Sequence, residues 1–152
     1  MRVALDSNVI IYAEGADSPP KRDLARALIA AIPAADLVMP MQAIGESTRW
    51  LFGKGGLSKT AAADRAARWL VTCIVQDTNV PVFEGALTLI SKHSLQLWDA
   101  VILSAAAEAG ASILLSEDIQ SGFQWRGVKI VNPFAEPVPA EVDAILKMTR
   151  TP

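Results

Sequence analysis

Val3-Ala4-Leu5-Asp6-Ser7-Asn8-Val9-Ile10-Ile11-Tyr12 is a short apolar run that stops at a carboxylate and resumes as a second apolar run. The first run, Arg2 to Leu5, has the length and continuous apolar character of a strand buried on both faces. Asp6 or Ser7 then supplies the N-cap of a short helix over Ser7–Ala13. A carboxylate at the carboxyl end of a buried strand stands where open α/β sheets bind their ligands.

The same strand-then-helix unit recurs along the chain. Gly15 to Pro20 has the composition of a loop. Leu24, Ala27, Leu28 and Ala31 then repeat at helical spacing within Lys21–Ile32, before Pro33. Leu37–Met39 reads as a strand, followed by a helix over Gln42–Phe52. Gly53, Gly55 and Gly56 interrupt the chain ahead of a helix at Ser58–Thr72, with Ser58 as its cap. Ile74–Gln76 is a third strand, and Pro81 suits the first turn of a helix reaching Lys92. Trp98–Ala109 is helical, with Trp98, Val101, Ile102, Ala105 and Ala109 on one face and Gly110 as the stop. Ser112–Leu115 and Val128–Val131 are the last strands, joined by a loop containing Gly122 and Gly127. The alternation ends at Asn132-Pro133. It predicts a three-layer α/β/α domain over residues 1–134 with a mainly parallel sheet of four or five strands. Residues 135–152 form a tail with a short helix at Ala140–Met148.

Composition narrows the class. A chain of 152 residues that is 51% hydrophobic and 20% charged is too apolar to be disordered. At this length one domain is the default, burying roughly 68–70% of the unfolded chain's surface. No charge-free stretch approaches the ~20 apolar residues of a membrane span. Arg2 and Asp6 leave no room for the apolar region of a signal peptide. The single cysteine, Cys73, has no intramolecular partner, which suits a reducing compartment. A cytoplasmic protein without membrane association is expected. Fourteen Lys and Arg against sixteen Asp and Glu give a net charge of −2. That balance lacks the basic excess of charge-driven nucleic-acid binders, so any such partner requires a local basic patch or bound cations.

Four acidic residues gather at one predicted edge. Asp6 and Asp118 follow strands, while Glu46 and Asp99 sit in helices that begin nearby. Each has a plainer role: a helix cap for Asp6, a solvated helical position for Glu46, a turn for Asp118. Asp99 in a first turn meets the helix dipole favourably, worth about 0.3–1 kcal/mol. Converging carboxylates repel unless cations sit among them. Oxygen donors suit Mg²⁺, which takes one or two carboxylates and keeps several waters. Such a site activates water and neutralises charge on a phosphoryl group. One histidine and one cysteine do not build a zinc site.

In their order and spacing these segments resemble the PIN-domain nucleases, specifically the ribonuclease toxins of the VapC kind. Val3 to Tyr12 looks like that family's first strand with its leading Asp, hydroxyl residue and Asn. Ile44-Gly45-Glu46 resembles the glutamate segment, and Trp98-Asp99-Ala100-Val101-Ile102 the third acidic motif. Leu115-Ser116-Glu117-Asp118-Ile119-Gln120 with Gly122 is similar to the last motif, and Asn132-Pro133-Phe134 to a common ending. The resemblance spans about residues 2 to 134. It implies a PIN-like fold and an endoribonuclease in which Asp6, Glu46, Asp99 and Asp118 form the catalytic site. Asp6, Glu46 and Asp99 would hold Mg²⁺ or Mn²⁺, with Asp118 completing the site directly or through water. Glu117 competes with Asp118 for that place. Ser116 would orient Asp118 or a metal-bound water, and Asn8 would donate from behind the ligands. In-line attack by a metal-bound hydroxide would leave 5′-phosphate and 3′-hydroxyl ends. The resemblance also implies an RNA substrate, a small antitoxin partner and a homodimer.

Other patterns compete. Lys54-Gly55-Gly56-Leu57-Ser58-Lys59-Thr60 approaches a phosphate-binding loop and so an ATPase. Ser58 stands where that loop needs Gly, however, and a helical pattern precedes it instead of a strand. Asp6-Ser7-Asn8 looks like the nucleophile segment of haloacid-dehalogenase phosphatases, but Asn8 replaces their second Asp. A non-catalytic PIN-like interaction domain is a further alternative. His93 suits a helix end, and Trp98 either packs or stacks on a base. Trp50, Leu51 and Phe52 fill the core or a partner face. Arg49, Lys54, Lys59, Arg65 and Arg68 either track an RNA backbone or form a solvated face.

Overall fold

The computed structural model describes residues 1–16 and 18–148. Asp17, inside the loop expected at Gly15–Pro20, and the last four residues of the expected tail lie outside the described residues. In chain order the elements are β1 (Val3–Leu5), α1 (Ser7–Ala13), α2 (Pro19–Ala31), β2 (Leu37–Pro40), α3 (Met41–Phe52), α4 (Lys59–Thr72), β3 (Ile74–Gln76), α5 (Val80–His93), α6 (Leu97–Glu108), β4 (Ile113–Leu115), β5 (Gln124–Trp125), β6 (Val128–Val131) and α7 (Ala140–Leu146).

The sheet has six strands in the order β3-β2-β1-β4-β6-β5. All neighbours run parallel except β5 and β6. Successive strand residues point to opposite faces, and every residue of β1, β2 and β4 is buried. Both faces of the sheet centre are therefore covered, as the α/β/α reading requires.

The expectation of four or five strands needs correction. The sixth, β5, is a two-residue edge strand inside the segment read as a loop. Its hairpin turns through Arg126 (φ 45°) and Gly127 (φ 82°). Positive φ at both central residues is the geometry that matches strand twist in a two-residue hairpin. Gly is at home there, but Arg is not a turn signal, so the sequence hides the hairpin. The Arg126 guanidinium lies 4.3 Å from the Trp125 ring centroid.

Helix α6 also differs from its reading. Ala100 through Ala106 are all buried, so the helix is enclosed on every side rather than along one stripe. It touches β2, β3, β4 and β6 and packs against α5. Trp98, placed on one face with Val101, Ile102, Ala105 and Ala109 and read as either packing or stacking on a base, is 53% exposed. Enclosure makes apolar periodicity uninformative about the helix's outer end.

The α5–α6 contact is close because Gly85 has no side chain. A Cβ there would lie 2.3 Å from Ser104 Oγ and 3.0 Å from the Trp125 ring. Ser104 Oγ is itself committed, donating to the Val82 carbonyl at 2.7 Å. Beyond Asn132-Pro133, Val142 and Ile145 of α7 are fully buried, and α7 packs on α2. Lys129 pairs with Glu141 across this junction. Among the described residues no helix is long and apolar enough to cross a membrane.

Replacing Gly85 by Leu inserts a side chain where even a methyl group collides. The expected loss is about 1–3 kcal/mol of folding stability, read as a lower denaturant midpoint. An unchanged midpoint contradicts the close α5–α6 contact.

Candidate active site

Strand register decides where the site forms. Leu5 of β1 faces Leu115 of β4, so the residues that follow, Asp6 and Ser116, become neighbours. Asp6 N–H donates to the Leu115 carbonyl at 3.0 Å, and Ser116 Oγ donates to Asp6 Oδ2 at 2.6 Å. The chain runs from β1 to β2 and β3 on one side, then returns to build β4 and β6 on the other. The seam between β1 and β4 is thus the point where strand order reverses, at which open sheets leave a crevice.

Asp6 caps α1, its Oδ1 accepting from Ser7 N–H at 2.7 Å. The first side chains of α1 reach sideways. Asn8 Nδ2 donates to Asp6 Oδ2 at 3.1 Å and to Asp118 Oδ2 at 3.2 Å, while Asn8 Oδ1 accepts from Glu117 N–H at 3.3 Å. Ser7 Oγ donates to Glu46 Oε2 at 2.6 Å, and Gln42 Nε2 donates to Glu46 Oε1 at 3.0 Å. Asp99, in the first turn of α6, interacts electrostatically with Asp6, Glu46 and Asp118. The fold therefore brings Asp6, Glu46, Asp99 and Asp118 together from four separate elements and loops.

Asp6 is only 3% exposed. Burial pushes its carboxyl up to about 6, against the hydrogen bonds from Ser116 and Ser7, and the charges of Asp99 and Glu46 add to the rise. Burial also raises Asp99, reinforced by Glu46 and Asp118. Among the described residues none of these four carboxylates forms an ion pair.

Glu117 stands elsewhere. Its carboxylate pairs with Lys21, whose Nζ also donates to Tyr12 Oη at 3.3 Å and lies 5.0 Å from the Tyr12 ring centroid. Ser116, expected to orient Asp118 or a metal-bound water, donates to Asp6 and makes no hydrogen bond to Asp118 among the described residues. The register places it across from Asp6, and its Oγ accepts from Ile119 N–H at 3.2 Å. Sequence reasoning missed Gln42 and Lys21, and saw Ser7 only as a cap. Gln42 lies four residues before Glu46 on one helix, a spacing that brings side chains together. No local pattern marks Lys21.

Two further surfaces adjoin the carboxylates. Ile11, Glu46, Arg49, Trp50, Gly53 and Lys54 line a groove beside Glu46. A cleft on the opposite side is bordered by Asp99 and Asp118 and includes His93. Of the remaining basic residues, Arg65 pairs with Glu14 and Lys59 lies over Phe52. The stretch Lys54–Thr60 follows α3, not a strand, and folds back so that Leu57 N–H donates to the Leu51 carbonyl at 2.9 Å. Gly55 is required by that close return, because a Cβ would meet Leu51 O at 2.8 Å. Ser58 Oγ caps α4 by accepting from Ala61 N–H. The phosphate-loop pattern is thus a helix stop, a Gly turn and a Ser cap.

The donor set fits a hard cation. It consists of carboxylate oxygens with excess negative charge. Among the described residues no group of three His, Cys, Asp or Glu side chains stands placed to hold a metal ion. Carboxylate oxygens are the donors that Mg²⁺ takes, one or two at a time with water filling the rest.

A family model described as the PIN domain matches residues 3–123. The chain belongs to the PIN-domain family. Its PIN fold is similar to the sarcin–ricin-loop-cleaving toxin VapC20 of Mycobacterium tuberculosis (19% identity, TM-score 0.65, 78% of this chain and 91% of that one). It is similar to a toxin–antitoxin complex from Klebsiella pneumoniae (20% identity, TM-score 0.66, 87% and 98% of the chains). It also resembles VapBC2 from Rickettsia felis bound to a promoter DNA fragment (14% identity, TM-score 0.59, 86% and 97%). At these identities the likeness establishes the fold. A search of curated proteins found no match.

The raised Asp6 carboxyl has a measurable consequence for this PIN domain. Between the unfolded value of 3.8 and the folded value of about 6, the native state binds more protons than the unfolded state. Without divalent cations, stability should therefore fall as pH rises through that window, by about 3 kcal/mol for this group. Denaturant titrations from pH 4 to 7 in chelator measure it. The slope should be clearly smaller in Asp6→Asn, with the raised Asp99 carboxyl supplying what remains, and an identical slope in that variant rules out Asp6 as its source.

Proposed function

We propose that this PIN domain is a divalent-metal-dependent endoribonuclease and the toxin of a toxin–antitoxin pair. The observation that carries the reading is the set Asp6, Glu46, Asp99 and Asp118 at the strand-order reversal, with no ion-pair partner among the described residues. The presence of an RNA-cleaving toxin and of toxin–antitoxin complexes among the similar structures supports it.

Asp6, Glu46, Asp99 and Asp118 would hold Mg²⁺ or Mn²⁺, which would supply an activated water and neutralise charge on the phosphoryl group. Ser116 and Asn8 keep Asp6 turned toward the crevice, Asn8 aligns Asp118, and Ser7 with Gln42 aligns Glu46. Glu117, engaged by Lys21, anchors the loop after β4 and leaves the fourth acidic place to Asp118. Arg49 and Lys54 meet the RNA backbone beside Glu46, the local basic patch that a net charge of −2 requires. In-line hydrolysis yields 5′-phosphate and 3′-hydroxyl ends. The catalytic domain spans residues 1–134, with α7 bracing α2 from the tail.

A small antitoxin silences the enzyme by placing an Arg or Lys among the carboxylates, where an unpaired cluster of like charge receives it. The toxin works in the cytoplasm, as a homodimer that buries part of the α3 end, where Phe52 is 40% exposed.

RNA cleavage should require Mg²⁺ or Mn²⁺ and stop in chelator. Asp6→Asn and Asp99→Asn should each lose roughly 100-fold or more, while Asn8→Ala, which only orients ligands, should lose about 10–100-fold. Normal cutting by both Asp variants, or ATP hydrolysis without RNA cleavage, overturns the assignment. The toxin reading has a separate check. The product of the adjoining reading frame should copurify with the chain and suppress cleavage. A chain that is harmless when overproduced and ignores that neighbour is a housekeeping nuclease instead.

A further inference from the structure

The cleft on the Asp99 and Asp118 side has a volume of about 250 Å³ and is formed by the α5–α6 turn and the loop after β4. Its chemistry differs from the groove at Glu46. Among the described residues no Lys or Arg lines it, and Asp99 and Asp118 do, so it disfavours a phosphate. Two rings, His93 and Phe123, and two aliphatic side chains, Leu95 and Ile119, are among the residues that line it. The His93 imidazole meets the Phe123 ring edge-on, with centroids 5.3 Å apart and planes at 66°. Phe123 is partly buried against the core, which makes this corner a firm apolar surface. The side-chain amides of Gln96 and Gln120 also border the cleft, and neither has a hydrogen-bond partner among the described residues. An unengaged amide offers both a donor and an acceptor. A planar neutral group with a hydrogen-bonding edge satisfies all of these features together.

We propose that this cleft is a nucleobase subsite, seating the base of the nucleotide next to the scissile phosphate. The proposal rests on the nuclease reading for its place in the reaction, because Asp99 and Asp118 belong to both the cleft and the carboxylate set. Single-stranded RNA is read by splayed bases that stack on Phe or His and bond through their edges. His93 and Phe123 supply the stacking corner here, and Gln96 and Gln120 read the edge. The cleft then selects which nucleotide flanks the cut, while Arg49 and Lys54 on the far side of the carboxylates grip the backbone without regard to sequence.

The chain has one histidine, so the His93 ring protons report binding directly by NMR. The full-length protein, in chelator and at constant pH, is titrated with each nucleoside 5′-monophosphate and with ribose 5-phosphate. Saturable shifts of the His93 signals with at least one nucleotide, absent with ribose 5-phosphate, are expected. Gln96→Ala, an exposed position, should weaken that binding about two- to tenfold, the loss of one net hydrogen bond. Gln96→Ala and His93→Asn should also change the nucleotide found at the cut ends of a mixed RNA. Equal shifts with ribose 5-phosphate, or no shift with any nucleotide, overturn the subsite. RNA cleavage with an unchanged nucleotide preference in both variants overturns it too, while the nuclease reading stands. Nucleotide binding by a protein that cuts no RNA leaves the subsite standing and removes the nuclease reading instead.

Discussion

Asp6 is a carboxylate held almost out of reach of water at the seam of β1 and β4, and much of the surrounding arrangement follows from keeping it hydrogen-bonded. A buried carboxylate without donors is severely destabilising. The donors here are Ser7 N–H, Ser116 Oγ and Asn8 Nδ2, and each commits another element. Ser116 ties the seam to β4. Asn8 extends the network to Asp118 and to the backbone at Glu117. Ser7 carries it to Glu46 on α3. The hydrogen bonds are complete, yet the charges are not balanced, and that residue of uncompensated negative charge is what a cation would settle.

The carboxylates divide the surface into two territories. On the Glu46 side lie Arg49 and Lys54, cationic and suited to a polyanion. On the Asp99 and Asp118 side lie an aromatic corner and two unengaged amides. What sets Asp99 at the boundary is the placement of α6, locked against α5 where Gly85 admits Ser104. A packing contact between two helices thus fixes one member of the acidic set. The opposite member, Glu46, is fixed by side chains from α1 and from its own helix.

The strand ends were legible because each is a local change of pattern: a short apolar run, then a polar residue, then helical spacing. Asp6, at the end of β1, and Asp118, just past β4, stand out for that reason, and Asp99 because a carboxylate opens an apolar helix. Pairings between distant segments leave no such trace. Lys21 finds Glu117 only through the way α2 lies beside the loop after β4. Ser116 was visible as a polar residue in the right motif, but its partner depends on strand register, which a single strand does not encode. Trp98 misled for a different reason. In α6 buried positions follow one another without a break from Ala100 to Ala106, so an apolar stripe no longer says which end meets water. The β5–β6 hairpin was hidden by Arg126 at a turn position that usually announces itself with Gly or Asn.

Ser116 lies 110 residues beyond Asp6, the carboxylate it holds. A ribosome adding about 5–20 residues each second needs on the order of ten seconds to bridge that gap. During that interval β1 can already pair with β2, but its other edge waits for a strand that has not been made. A nascent chain therefore carries Asp6 before Ser116, which donates to it, and before Asp118, which shares Asn8 with it. The acidic set is thus completed only once the strand β4 and the loop after it have been made. Strand order alone imposes that delay.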